Sequence, residues 1–160
     1  METNLKSERR AELAEEFLIS IGQVIRGMDA IFRREFEEYE VTWPQFHMLK
    51  MIKFHGKTGV TDLSNLLMIA PPTASRMING LTSKGLVVKE KDPSDQRVTL
   101  VALTQKSERL MEKLMKLQAE VMIEVFEGED ERELERTITG LKKLSERLFV
   151  GGDRKGKMRK

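Results

Sequence analysis

At 160 residues and 18.5 kDa, the chain is of single-domain size on a prior of roughly 100–200 residues per domain. Hydrophobic residues make up 39% and charged residues 34%, a soluble globular balance, and no apolar run approaches the ~20 residues that span a bilayer. The absence of cysteine excludes a disulfide scaffold, thiolate zinc sites and any thiol nucleophile or redox sensor. No apolar signal core opens the chain, so a cytoplasmic protein without membrane partners is expected.

The net charge is only +2, a weak argument against nucleic-acid binding. It is unevenly distributed. Residues 1–41 carry a balance of −4, residues 42–104 of +4, residues 105–150 of −2 and residues 151–160 of +4. A basic middle and a basic tail therefore alternate with two acidic flanks.

The first flank reads as a long amphipathic helix with its stripe at Leu13, Phe17, Ile21, Val24, Met28 and Ile31, three or four residues apart. A second apolar row, Leu18, Ile25, Phe32 and Tyr39, adjoins it, so the helix has two faces to cover, one of them against a possible second subunit. The middle segment then breaks into short pieces. Thr42-Trp-Pro-Gln45 is a helix start, with Thr42 as N-cap, Pro44 in the first turn and Gln45 reaching back. That helix ends at Gly56 and Gly59. A second begins at Val60-Thr61, with Thr61 as its N-cap. The third opens on Pro71-Pro72, points Ala74, Met77, Ile78 and Leu81 inward, and stops at Gly85.

After Gly85 the pattern becomes extended. Leu86–Lys91 and Val98–Leu103 flank a polar tip at residues 92–97, which predicts a β-hairpin. Thr104 caps a further long helix, Gly128-Glu-Asp130 breaks it, and a last helix runs through Leu134, Ile138, Leu141, Leu144 and Leu148. Three short helices followed at once by a basic hairpin are a winged helix-turn-helix. The expected fold is thus mainly α, of the α+β kind. Residues 1–41 and 105–150 form a helical dimerisation region around a DNA-binding lobe at 42–104, and 151–160 form a disordered basic tail.

The third helix, read as the recognition helix, leaves Thr73, Ser75, Arg76 and Asn79 facing outward with no acid among them. Such side chains suit the major groove of duplex DNA: hydroxyls reach phosphates or bases, an arginine can bond guanine N7 and O6, and the helix N-terminus attracts phosphate. An ordinary solvated face has the same polarity. On the hairpin, Lys89 and Lys91 lead to a tip where Arg97 stands beside Asp95. Arg97 can enter a minor groove or simply pair with Asp95, and the two are compatible.

With these residues in view, the chain resembles the MarR-type transcriptional regulators, winged-helix dimers. The most specific part of the likeness is Asp95-Gln-Arg97-Val-Thr-Leu-Val-Ala-Leu103-Thr104, preceded by Lys84-Gly85-Leu86-Val87. The resemblance implies that Thr73, Ser75 and Arg76 meet the major groove and that Arg97, steered by Asp95, meets the minor groove. It also implies a homodimer through the terminal helices, where Leu13, Phe17, Val125, Leu134, Ile138, Leu141 and Leu148 are the interface candidates. Relatives often take small aromatic or phenolic anions, and here Phe17, Trp43, His47 and Met51 are candidates for lining such a cleft, although each also suits ordinary core packing. The chain departs from many relatives in having Val88 and Lys89 where an arginine often follows the Gly-Leu pair.

No cofactor or metal site is expected. His47 and His55 lie eight residues apart, roughly 12 Å along a helix, too far to share an ion. Two histidines, no cysteine and no glycine-rich phosphate loop also leave an enzyme without catalytic groups. A winged helix used only for protein contacts is the alternative to DNA binding, and it calls for a hydrophobic or acidic recognition face that Thr73, Ser75 and Arg76 do not provide.

Overall fold

The structure, a computed structural model, describes the backbone of residues 2–151 and the side chains of residues 7–148. The basic tail from residue 152 onward lies outside the described residues. The chain divides into two units, one running to Ala119 and the other starting at Glu120.

In the first unit, helix α1 (Glu2–Glu35) leads through a single 3₁₀ turn (Glu37–Tyr39) into α2 (Trp43–His55). The predicted start of α2 is present in full: the Thr42 hydroxyl accepts from the Gln45 amide at 3.4 Å, and the Gln45 side chain accepts from the Thr42 amide at 3.1 Å. Two orphan amides are satisfied reciprocally, and Pro44 sits where no donor is needed. Next come β1 (Thr58–Gly59), α3 (Val60–Leu66), α4 (Pro71–Ser83), β2 (Val87–Lys91), β3 (Thr99–Leu103) and α5 (Gln105–Val125). The three strands form an antiparallel sheet in the order β1-β3-β2, with Lys89 opposite Val101 and Thr58 also opposite Val101.

Strand β1 is the element the sequence does not announce, and it corrects the expected start of α3. Thr58 and Gly59 are extended because they pair with Val101 and Leu100, so the helix begins at Val60 with Gly59 as its N-cap and not with Thr61. Thr61 lies inside the helix, where its carbonyl accepts from the buried Ser64 hydroxyl at 2.9 Å. At the other end of the lobe Thr104 and Ser107 cap α5 by exchanging hydrogen bonds, and the Thr104 hydroxyl also donates to the Gly85 carbonyl at 2.8 Å.

The core gathers Phe32, Phe36, Phe46, Met48, Leu49 and Ile52 with Leu63, Ala74, Ile78, Leu81, Val101, Met111 and Leu114, all essentially inaccessible. Each large aliphatic or aromatic side chain buried in this way contributes roughly 1.5–3 kcal/mol. Of the inward stripe predicted for α4, Ala74, Ile78 and Leu81 are fully buried and Met77 is half-buried. No buried side-chain polar atom among the described residues lacks a partner. The second unit holds the end of α5 and helix α6 (Glu131–Gly151). Gly128, at φ +86°, makes the break, and Asp130 caps α6 through the amides of Arg132 and Glu133.

The turn between α3 and α4 contains Met68 at φ +50° with 69% of its surface exposed. The left-handed conformation lets the amides of Met68 and Ile69 bond to the carbonyls of Asn65 and Ser64, but it costs a non-glycine residue about 1–2 kcal/mol. Met68→Gly removes that strain and sacrifices little packing. Allowing for glycine's extra unfolded-state entropy, it raises the unfolding free energy by about 0.5–1 kcal/mol, measurable by urea denaturation at fixed protein concentration.

Candidate nucleic-acid interface

Burying Ala74, Ile78 and Leu81 turns the rest of α4 outward. Ser75, Arg76 and Asn79 are exposed and Thr73 is half-buried, the disposition expected of a helix that offers a polar face to a groove. The start of the helix differs from expectation in one respect. Pro71 and Pro72 have no N–H, and the amides of Thr73 and Ala74 both bond to the Ala70 carbonyl, at 2.9 and 3.1 Å. The dipole of the helix end persists, but its first four positions hold no free amide for phosphate.

On the hairpin, strand alternation places Lys89 and Lys91 on one face and Glu90 on the other. Glu90 forms an ion pair with Lys57, the Lys91 ammonium donates to Thr99 Oγ1 at 3.3 Å, and the Lys89 ammonium donates to the Asn79 side-chain oxygen. Two aspartates build the tip. Asp92 accepts from the Ser94 hydroxyl and from the Ser94 amide at 2.7 Å, bonds that hold its carboxyl below the usual pKa. Asp95 accepts from the Arg97 backbone amide at 2.9 Å, while its carbonyl accepts from Val98.

The ion pair expected between Asp95 and Arg97 is not formed. The carboxylate is engaged by the main chain, and no ion pair joins it to the Arg97 guanidinium among the described residues. Arg97 is exposed at the tip, and its side chain has no hydrogen-bond or ion-pair partner. The same is true of Arg76 on α4. These are the only arginines between residues 42 and 104.

The residues proposed for a ligand cleft fall in different places. Trp43 stacks on Phe32 with ring centroids 4.0 Å apart and planes 4° apart, and meets His47 edge-on at 4.4 Å. His47 and Met51 follow Trp43 one and two turns along α2, both half-buried, whereas Phe17 is 40% exposed on α1. A cavity of about 810 Å³ opens beside Trp43, with Asp29, Arg33, Glu40, Thr42 and Lys84 among its walls. His47, Met51 and Phe17 do not line it. Of the interface candidates, Leu13 and Phe17 in the first unit are exposed. In the second, Val125, Ile138, Leu141 and Leu148 are exposed and Leu134 is half-buried. No group of ligating side chains able to hold a metal occurs among the described residues, and no described helix is long and apolar enough to cross a membrane.

Residues 41–99 match the model of the MarR family. Over 137 residues the chain is 26% identical to the HTH-type transcriptional regulator YsmB of Bacillus subtilis, covering 83% of this chain and 94% of that one. A MarR transcriptional regulator from Methanosarcina mazei superposes with a TM-score of 0.79 at 24% identity, over 85% and 98% of the two chains. MepR of S. aureus, solved as a complex with DNA, superposes with a TM-score of 0.74 at 21% identity, over 82% and 97%.

Burial, and then the nearby Lys50 charge, hold the His47 imidazole below its ordinary pKa of about 6.5. The unfolded chain therefore binds this proton more readily than the folded one, and stability contributed at neutral pH is lost as the pH falls below about 6.5. Urea unfolding at pH 7.5 and 5.5 should show a larger loss for the wild type than for His47→Gln. Equal losses would refute the shift.

Proposed function

We propose that the chain is a winged-helix, DNA-binding transcriptional regulator of the MarR type, and that it is a repressor that grips palindromic duplex DNA as a homodimer. The observation that carries this reading is the pair of unpartnered arginines, Arg76 on the outward face of α4 and Arg97 at the wing tip. Five lysines of the same lobe are held by other protein groups. A guanidinium left in water at two separate points of one basic surface is available for planar, bidentate recognition. In this reading Arg76, with Thr73 and Ser75, faces base edges and phosphates of the major groove. Arg97 enters the adjacent minor groove, where a narrow groove concentrates negative potential. Asp95 serves by fixing the backbone from which Arg97 projects.

The exposed apolar residues support the dimer. Leu13, Phe17, Leu18, Val24 and Ile25 on α1, and separately Ile138, Leu141, Leu144 and Leu148 on α6, are each more than a third exposed. Such stripes are larger than a monomer keeps in water. Two-fold symmetry then pairs two reading heads with the two halves of a palindrome. Release by a small aromatic anion completes the proposal: a ligand beside Trp43 that binds one dimer geometry better than another shifts the population toward heads misspaced for DNA.

Selection of preferred sites from random duplex DNA tests the function directly, with a palindrome as the expected product and no enrichment as the refuting one. On the selected site Arg76→Ala should relax preference at one base pair per half-site by about 1–3 kcal/mol. Arg97→Ala should weaken binding while leaving the urea midpoint unchanged. Sedimentation at micromolar concentration should give twice the 18.5 kDa chain mass; a monomer would remove the symmetric reading.

A further inference from the structure

The recognition helix and the wing touch through one polar contact: the Lys89 ammonium on β2 donates to the side-chain oxygen of Asn79 on α4. Both residues are exposed. As a reader of bases, an asparagine recognises adenine bidentately, accepting from N6–H with its oxygen while donating to N7 with its amide nitrogen. Here one lone pair of the oxygen is already engaged by a cation, so the side chain is held toward the wing and only the second lone pair is left for a base. The lysine, by contrast, loses little by the contact, because an ammonium has three donors and the asparagine takes one.

We propose that Asn79 is a positioning residue for Lys89, holding its ammonium at the junction of helix and wing so that the two remaining donors meet a backbone phosphate. This inference rests on the DNA-binding reading of the lobe. The surroundings of Lys89 support it. Glu90, the adjacent acid on the strand, lies on the opposite face in an ion pair with Lys57, and Val101 stands across the ladder. The nearby Lys91 is itself held by Thr99. Among the described residues no carboxylate pairs with Lys89, which leaves its ammonium open to an external anion. A lysine stem has several soft torsions, and fixing its head in the free protein removes part of the ordering cost of binding. The first turn of α4 supplies no free amide, which leaves a phosphate near this helix dependent on side-chain donors.

The test measures affinity for the selected site and for a random duplex across a salt series, using the wild type, Asn79→Ala, Lys89→Ala and the double variant. Lys89→Ala should lower the salt slope by about 1.8 on both duplexes, about 0.9 for each of the dimer's two phosphate contacts. Asn79→Ala should weaken both duplexes by the same factor, on the order of threefold to tenfold, and have no further effect once Lys89 is gone. Urea midpoints equal to the wild type confirm that the variants are folded. Asn79→Ala that relaxes preference at a single base pair, or adds in full to Lys89→Ala, overturns the proposal and leaves the DNA-binding reading standing. Absence of any salt-dependent binding by the wild type overturns both.

Discussion

The winged lobe hangs on an aromatic corner. Phe32 in α1 and Trp43 in α2 lie face to face, with Phe36 and Phe46 closing the cluster at tilted and edge-on angles. Each such pair contributes about 0.5–1.5 kcal/mol beyond the area it buries. More to the point, the pairs fix the relative angle of two helices joined by only seven residues. The Thr42–Gln45 cap sets where α2 starts, and Glu40, left-handed at φ +54°, bends the chain into it. The Lys84 ammonium donates to the Glu40 carbonyl, and the Lys106 ammonium to the Lys84 carbonyl at 2.9 Å. The C-terminal end of α4 is thereby tied both to this corner and to the start of α5.

Five of the lobe's six lysines are held by protein groups, whereas Lys53 and both arginines are not. Lysines 50, 57, 84, 89 and 91 all reach protein acceptors: a glutamine oxygen, a carboxylate, a backbone carbonyl, an asparagine oxygen and a threonine hydroxyl. A compact ammonium on a long stem can meet acceptors in almost any direction. The guanidinium needs a planar, forked partner to be used fully, and the lobe offers neither arginine one. The +4 balance of residues 42–104 therefore overstates what is unengaged, since much of that charge helps to brace the head. Exposed contacts of this kind are individually weak; their effect is to orient side chains more than to stabilise the fold.

What the sequence made legible was local. Capping at Thr42, the prolines opening α4, the glycine stop at Gly85 and the period change into the hairpin are each encoded within a few residues, and all appear where they were expected. Strand β1 was not legible because two residues, Thr58 and Gly59, become extended only through pairing with β3 some forty residues later. The Thr61 misreading followed from this: a threonine near a helix start looks like a cap until the sheet claims the preceding residues. Nor could the sequence show that Asn79 meets Lys89, since the contact exists only once the hairpin folds back on the helix. Likewise Asp95 beside Arg97 suggests an ion pair, whereas the tight turn brings the carboxylate to the backbone amide first.

The prolines of α4 are the counter-example, a signal that was present and incompletely used. Proline is favoured in a first turn because the missing N–H is an orphan there, and that argument places the helix correctly. The same missing donors remove the groups through which a helix end holds phosphate, and the Ala70 carbonyl takes up the next two amides. Residual backbone attraction at this end comes from the dipole alone, which salt screens and which falls off within the first turn. In the proposed DNA-binding role, hydroxyls at Thr73 and Ser75 and the guanidinium of Arg76 would do what backbone amides do elsewhere. Side chains, unlike amides, can be exchanged by mutation without altering the fold. On that proposal, placing prolines here moves control of DNA affinity from the backbone to side chains particular to this sequence.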